Sequence, residues 1–375
     1  YEDVFGWERP QWYAPEDIPR EHIHSFRRSA IWQIVGDEVN GLRSHAGIAD
    51  LSAFAKIEVS GDDAETFLNR ISSNRIPRRT GSVSLTYLML DNGRIEGEVT
   101  LLRLGDNHFY LVYAAVRETA LLDWMANEVG ESESVHFDNV SESYGVIMLA
   151  GPASRRILQG ITDASLDNSN FPWLSTRHIQ VAGVSGIRAM RVTYTGELGW
   201  ELHVPMSGMK AVYKAILDSP EANALVHVGS AALGAMRMEK AYRSGHEITS
   251  EVTLAEADVT RFSRQSGFQG AASSLAAPSR WVLVLLQLAE PGPDDINADP
   301  LGSESVWQNS KPVGQISSGG YGYHVGAWLG FAYFDPGAAA PGTGLSVMVL
   351  GQHREARVID GPVYDADNSR PRIED

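Results

Sequence analysis

The segment Thr193-Tyr194-Thr195-Gly196-Glu197-Leu198-Gly199-Trp200-Glu201-Leu202-His203 reads as strand, tight turn, strand. Arg191 to Thr195 and Trp200 to Val204 are rich in β-branched and aromatic residues, the composition of strands. Gly196 and Gly199 between them supply a reversal that only small residues make so sharply. The turn places Tyr194, Glu197 and Glu201 together at a strand end. Two carboxylates and a phenol held there can grip a polar ring through several hydrogen bonds. The plain alternative is a hairpin carrying two solvated glutamates.

Working outward, Tyr87 to Thr100 contains a second hairpin. Two strands flank Asp91-Asn92-Gly93, a strong turn signal, and the second strand runs to about Leu104. Glu98 alternates with Val99 on it, which by itself makes Glu98 a polar strand residue. Lys56 to Ser60 and His108 to Ala114 read as further strands. Asp62 to Ser73 reads as a helix, with Ala64, Phe67, Leu68 and Ile71 on one face and Ser60 with Asp63 as its cap. Glu118 to Val129 is a second amphipathic helix, and Tyr144 to Ala150 a buried strand. A short helix follows at Arg155 to Leu158, where Arg155 and Arg156 read as surface charge. Met209 to Leu217 and Gly229 to Arg243 read as helices, the latter capped by Ser230 and carrying an Arg237–Glu239 pair. Ala271 to Ser279 has linker composition. The remainder is strand-rich, at Trp281–Leu288, Pro312–Ser317, Trp328–Tyr333, Leu345–Leu350 and Glu355–Ile359, with Gly319-Gly320-Tyr321-Gly322 as a turn and the charged tail from Asp365 loose. His22 and His24 on the proline-marked N-terminal arm read as solvated rather than metal-binding.

The 375 residues suffice for two or three domains. A net charge of -16 argues against nucleic acid and against an anionic membrane surface, because both need clustered positive charge. A polyanionic cofactor tail would require a local basic patch against this background. The chain has no cysteine, which excludes disulfides, thiolate catalysis and Cys-ligated metals. The acidic start Tyr1-Glu2-Asp3-Val4 predicts no secretory leader, and the longest apolar run, Trp281 to Leu288, is too short to span a bilayer. No Gly-x-Gly-x-x-Gly follows a strand, so no dinucleotide-binding domain is expected.

Tyr194-Thr195-Gly196-Glu197-x-Gly199-x-Glu201 resembles the folate-site motif of the aminomethyltransferase family, which includes the glycine cleavage T-protein and the C-terminal halves of dimethylglycine and sarcosine dehydrogenases. The Trp200-Glu201-Leu202-His203 ending looks most like the dehydrogenase branch, as do Ala-Leu-Gly-Ala-Met-Arg-Met-Glu-Lys-Ala-Tyr-Arg at 232–243 and Phe5 to Tyr13. The resemblance runs in order over nearly the whole chain. It implies an α+β, multi-subdomain T-protein-like fold, with a folate-binding domain over 1–275 (subdomains of about 1–150 and 151–275) and an antiparallel β-barrel over 276–375. It places Glu98 against the reactive nitrogens of tetrahydrofolate, where most relatives carry the shorter Asp. It gives Glu201 and Tyr194 to the two edges of the pterin ring, and the main chain of Val99, Thr100, Leu202 and His203 to the rest of the slot. Phe262 falls where relatives place an aromatic over the folate, and Phe171-Pro172-Trp173 resembles a segment packed near the pterin. The pattern departs at Ser244-Gly245, at Glu256-Ala257-Asp258-Val259 and before Phe268-Gln269-Gly270, where a lysine is usual.

The implied activity is tetrahydrofolate-dependent one-carbon transfer. It captures a CH2 unit from oxidation of a dimethylglycine- or sarcosine-type N-methyl glycine as 5,10-methylenetetrahydrofolate, without a metal and as partner of a separate FAD-dependent oxidoreductase. A tetrahydrofolate-dependent demethylase of an osmolyte or methylated amine, and a non-catalytic folate-binding subunit, are the alternatives. The cytoplasm, or the mitochondrial matrix of a eukaryote, is the compartment expected.

Overall fold

The computed structural model describes residues 1–4, 6–15, 25–276, 279–292, 296–338, 340 and 343–374. Phe5, His22 and His24 lie outside the described residues. The chain opens on a two-stranded ribbon, β1 (Glu2–Val4) and β2 (Trp7–Arg9), then α1 (Ala30–Ser44), β3 (Ala46–Asp50), β4 (Ala55–Ser60), α2 (Ala64–Ile71), β5 (Val83–Met89), β6 (Ile95–Gly105), β7 (His108–Tyr113), α3 (Glu118–Glu128) and β8 (His136–Asn139). It continues through β9 (Tyr144–Ala150), α4 (Ser154–Gln159), β10 (Thr176–Val181), β11 (Val184–Met190), β12 (Gly199–Pro205), α5 (Met209–Leu217), β13 (Leu225–His227), α6 (Ser230–Glu239) and α7 (Ala271–Ser274). The last part holds β14 (Val282–Leu288), β15 (Ser305–Gln308), β16 (Lys311–Gly322), β17 (Ala327–Phe334), β18 (Gly344–Val349) and β19 (Gln352–Ile359). No helix among the described residues is long and apolar enough to cross a membrane.

Besides the β1-β2 ribbon, three larger sheets form among the described residues. One is five-stranded, in the order β5-β6-β7-β4-β8; another is six-stranded, β10-β11-β12-β9-β3-β13; the third closes into a barrel, β14-β17-β16-β15-β18-β19. All barrel pairs are antiparallel, and β14 pairs with both β17 and β19 to remove the open edges. The fold is the expected α+β arrangement with a C-terminal antiparallel barrel.

Period-two alternation assigns the faces. On the six-stranded sheet, Trp200, Leu202 and Val204 point with Ile147, Leu149 and Ile187 onto Ile157 and Leu158 of α4 and Val212 and Ile216 of α5. The opposite face is shared. Over β3 and β9, α1 and α6 cover Ala49, Met148 and Ala150 with Val39, Leu42, Ala232 and Met236. Over β11, the five-stranded sheet covers Met190 with Leu102, Tyr110 and Val112. The far face of the five-stranded sheet buries Ile57, Val99, Leu101 and Phe109 on α2 and α3. The two sheets therefore meet face to face, and β12 runs where the covers change from helix to sheet.

The structure revises several local readings. Arg191 to Thr195 is not a strand: β11 ends at Met190, and residues 191–198 form a loop closed by the Thr193 hydroxyl donating to the Glu197 carbonyl at 2.8 Å. Both glycines are needed there. Gly196 has φ +78, and a Cβ would fall 2.4 Å from Lys240 Cδ; one on Gly199 would fall 2.7 Å from the Leu149 carbonyl oxygen. Gly196→Ala is expected to destabilise the chain by roughly 1–2 kcal/mol, read as a lower denaturation midpoint; an unchanged midpoint would show that the loop relaxes freely.

The helix expected over 229–243 stops at Glu239, and Gly229 rather than Ser230 is its N-cap; the Ser230 hydroxyl donates to Glu2 Oε1 at 2.9 Å. At α2 the N-cap is Asp63, but its carboxylate accepts from the Ser134 N–H at 2.9 Å instead of capping. The first part of the expected linker is α7, with Ser274 fully buried. Gly319 to Gly322 lie inside β16, and the reversal comes after them. The tail is tied down. Asp365 and Asn368 receive Lys240 Nζ at 3.2 and 2.9 Å, Pro371 O accepts from Arg191 Nη2 at 3.0 Å, and Ile373 O from Arg155 Nη2 at 3.0 Å. Arg155 is thus a buried anchor, not surface charge.

Candidate active site

On β6, alternation directs Glu98, Thr100 and Leu102 toward the six-stranded sheet and Val99 and Leu101 into the core behind. Glu98 stands opposite Tyr87 of β5, whose hydroxyl donates to Glu98 Oε1 at 3.4 Å. Glu98 and Thr100 keep accessible surface although they lie between sheets. Burial nevertheless pushes the Glu98 carboxyl up to about 7. The Glu247 charge adds to that rise, while the Tyr87 hydrogen bond and Arg243 oppose it. The Glu98 carboxyl is thus partly accessible yet largely surrounded by protein, in a recess between the two sheets.

Tyr194 comes from the 191–198 loop. Its hydroxyl donates to the Arg243 carbonyl at 2.8 Å, and its ring centroid is 5.9 Å from that of Tyr242. Burial holds its phenol well above the ordinary value, the Arg237 charge opposes this, and Glu98 and Glu247 add to it. Tyr194 therefore keeps its proton, close enough to Glu98 to feel its charge. Phe262, in a short turn at Thr260–Phe262, packs against the cluster of Tyr87, Met89 and Ile95 on the same side of β5 and β6.

Glu201 and His203 point from β12 into the same space between the sheets. Glu201 pairs in register with Met190, which touches the five-stranded sheet. His203 is fully buried, with Nδ1 2.9 Å from the Tyr110 hydroxyl and Nε2 3.8 Å from Glu201 Oε2. Burial lowers its pKa, so the imidazole is neutral and the Glu201 contact is not an ion pair. No hydrogen bond or ion pair joins Glu98 to Glu201 among the described residues. They face each other's sheet without being linked.

Other expected members stand elsewhere. Leu202 points into the core on the far face. Leu202 and His203 pair with β11 on one side and β9 on the other, so the ladder leaves neither with a spare N–H for a ligand. Thr100 is likewise paired on both sides, and Val99 with β5. Glu197 leaves the group altogether: the longer loop turns it toward α1, where it accepts from the Tyr364 hydroxyl and lies 3.9 Å from Arg43 Nε. Phe171 is core, stacked edge-on against Trp200. Arg237 does not pair with Glu239, because residues two apart leave a helix on different faces. Instead Arg237 Nη1 meets Glu247 Oε2 at 3.0 Å, and Arg43 Nη2 meets Glu239 Oε2 at 2.7 Å.

Glu247 was absent from the sequence reading. It is fully buried, accepts from Ser244 N and Oγ at 2.9 Å each, and also accepts from the barrel hydroxyls Ser317 and Ser318 at 2.8 and 2.5 Å. The signal was present as Ser244-Gly245-His246-Glu247, the Ser-x-x-Glu spacing that lets a carboxylate return to a serine N–H. Through it the barrel braces the loop that carries Arg243.

With the geometry established, comparison with known proteins is informative. The GCVT N-terminal domain family matches residues 1–266, and the glycine cleavage T-protein C-terminal barrel domain matches 282–365. Human mitochondrial dimethylglycine dehydrogenase is 31% identical over 377 residues, covering 98% of this chain but 43% of the relative. The chain thus spans less than half the length of that relative. The aminomethyltransferase of Bacillus subtilis is 27% identical and covers 96% of this chain and 94% of its own length. The crystal structure of glycine cleavage aminomethyltransferase T from Bartonella henselae superposes with a TM-score of 0.78 at 22% identity, over 88% of this chain and 90% of that one, a likeness of fold. With the two family domains matched in order across its length, the chain belongs to the aminomethyltransferase, or glycine cleavage T-protein, family.

Proposed function

We propose that the chain transfers a one-carbon unit to tetrahydrofolate. It captures the CH2 released when a dimethylglycine- or sarcosine-type N-methyl glycine is oxidised by an FAD-dependent partner, as 5,10-methylenetetrahydrofolate. The observation that carries this reading is Glu98, a carboxyl brought to about 7 in a recess between the two sheets, with Glu201 facing that recess from a second sheet. The similarity to human dimethylglycine and sarcosine dehydrogenases, at 31% and 26% identity, supports the choice of donor class.

The residues present fit a reduced pterin. Its ring edges carry several N–H groups and need acceptors, and the recess offers two carboxylates with tyrosine oxygens beside them. The aromatic faces of Phe262 and Tyr242 suit a flat ring. When bound, tetrahydrofolate supplies the nucleophilic nitrogen that takes the carbon. Glu98, ionised about half the time near pH 7, accepts a proton at its carboxylate oxygen and returns it. Tyr87 fixes that oxygen by donating to it. Glu201, whose one ion-pair-range contact among the described residues is the His203 imidazole at 3.8 Å, holds ring N–H groups as an acceptor. Enclosure between the sheets keeps water from competing for the carbon.

Transfer is tested by supplying tetrahydrofolate, dimethylglycine and an FAD-dependent dimethylglycine oxidase, and weighing the folate by mass spectrometry. Methylene product above the uncatalysed background is expected. Free formaldehyde with unaltered folate, or a methyl-bearing product from a methylated amine without oxidation, would contradict the proposal. Because the Tyr87 hydroxyl favours the charged form of Glu98, Tyr87→Phe is expected to move the acidic limb of the rate profile to higher pH, by up to about one unit. A shift to lower pH would refute the assigned hydrogen bond.

A further inference from the structure

We propose that the imidazole of His203 is a positioning residue of the recess, fixing the Glu201 carboxylate through an Nε2–H that Tyr110 holds in place; this rests on the folate reading of the recess. The side chains concerned form one column across the gap between the sheets. Glu58 of β4 and Tyr110 of β7 pair in register on the five-stranded sheet, and Arg188 of β11 pairs with His203 of β12 on the six-stranded one. Arg188 Nη2 donates to Glu58 Oε1 at 2.6 Å, and His108 Nε2 lies 2.7 Å from Glu58 Oε2. The Arg188 guanidinium sits 4.5 Å from the Tyr110 ring centroid and 4.4 Å from that of Tyr144. The Tyr110 hydroxyl meets His203 Nδ1 at 2.9 Å, and Glu201 stands two residues before His203 on the same face of β12.

Two charges decide which ring nitrogen carries the proton. The Arg188 cation makes the Tyr110 hydroxyl a better donor, so Tyr110 donates to Nδ1 and that nitrogen is the acceptor. A neutral imidazole then bears its hydrogen on Nε2, the nitrogen that faces Glu201, where the carboxylate charge favours it. His203 is fully buried, and its Nε2 has no hydrogen-bond partner among the described residues. At 3.8 Å the Glu201 oxygen stands just beyond hydrogen-bond length. A buried donor left open beside a carboxylate is a costly arrangement, and a small turn of the Glu201 side chain removes it. In that turn Oε2 accepts from His203, and Oε1 is left for N–H donors of the ligand. His203 therefore acts on the ring only through Glu201.

The test pairs a spectroscopic readout with a binding one. Heteronuclear NMR of the histidine-labelled chain, with the His203 signals identified by their loss in either His203 variant, is expected to show a neutral ring protonated at Nε2. Tyr110→Phe is expected to mix the two neutral forms. A proton held on Nδ1 in the unaltered chain would overturn the proposal. In equilibrium dialysis with tetrahydrofolate, His203→Asn, whose amide reaches Tyr110 but not Glu201, is expected to bind about tenfold more weakly. His203→Gln, long enough to present an amide N–H where Nε2 stands, is expected to stay within about threefold of the unaltered chain. In a Glu201→Gln background, His203→Asn is expected to cost nothing further, because the group it positions is already altered. Equal losses for the two His203 variants, or a loss that adds in full to that of Glu201→Gln, would overturn the positioning role. Absence of tetrahydrofolate binding by the unaltered chain would instead overturn the folate reading itself, whichever nitrogen carries the proton.

Discussion

Glu98→Gln lowers the rate of one-carbon transfer by about 10²- to 10⁴-fold, the range that a positioned general acid–base group contributes. The amide keeps the volume and can still receive the Tyr87 hydroxyl, so the fold and much of the recess survive. What goes is the group that changes protonation near pH 7. In the unaltered chain the working form of Glu98 is the carboxylate, and its pKa is raised to about 7 chiefly by burial. Activity therefore climbs as pH rises through about 7, and Glu98→Gln removes that limb. Steady-state rates across pH 5.5–8.5, about three units, with a saturating one-carbon donor give the comparison. A merely structural Glu98 would show a uniform loss with the limb intact. An unchanged rate would remove it from the chemistry.

Glu201→Gln is expected to weaken tetrahydrofolate binding by about 30- to 150-fold, roughly 2–3 kcal/mol, with a smaller effect on the rate at saturation. Only about a tenth of the Glu201 side chain is exposed, and its one ion-pair-range contact among the described residues is the neutral His203 imidazole at 3.8 Å. A carboxylate in that position is held ready for N–H donors from outside. The amide replaces one acceptor oxygen by a donor that meets the ligand's own N–H groups. Equilibrium dialysis of both forms, with denaturation midpoints as the control for folding, reads the effect. Equal affinities would move the ring away from β12.

How far the sequence revealed this arrangement depends on the interaction involved. Strand pairs and the faces of helices follow local periodicity, so Ala64, Phe67, Leu68 and Ile71 could be placed inside from spacing alone, and all are buried. The closed barrel was legible except for β15, whose Ser305–Gln308 is too short and polar to signal a strand. Alternation put Glu98 and Glu201 on the polar sides of their strands; only packing shows that those sides face one another. The turn at 193–199 was misjudged because its glycines signal a reversal but not its length. The extra residues send Glu197 to Tyr364 and Arg43, contacts spanning much of the chain. The tail misled for the same reason: its charge suggested solvent, while Lys240, Arg191 and Arg155 reach it only in the folded chain. Glu247 shows the limit most clearly, since its partners Ser317 and Ser318 come from the barrel.

The placement of the ring can be seen directly. A crystal structure of the chain with tetrahydrofolate is expected to show the pterin between β6 and β12, with one carboxylate from each sheet, Glu98 and Glu201, on its nitrogens. A pterin lodged instead in the open cavity lined by Arg79 and Arg177, or a recess that stays closed at saturating ligand, would contradict the two-carboxylate site.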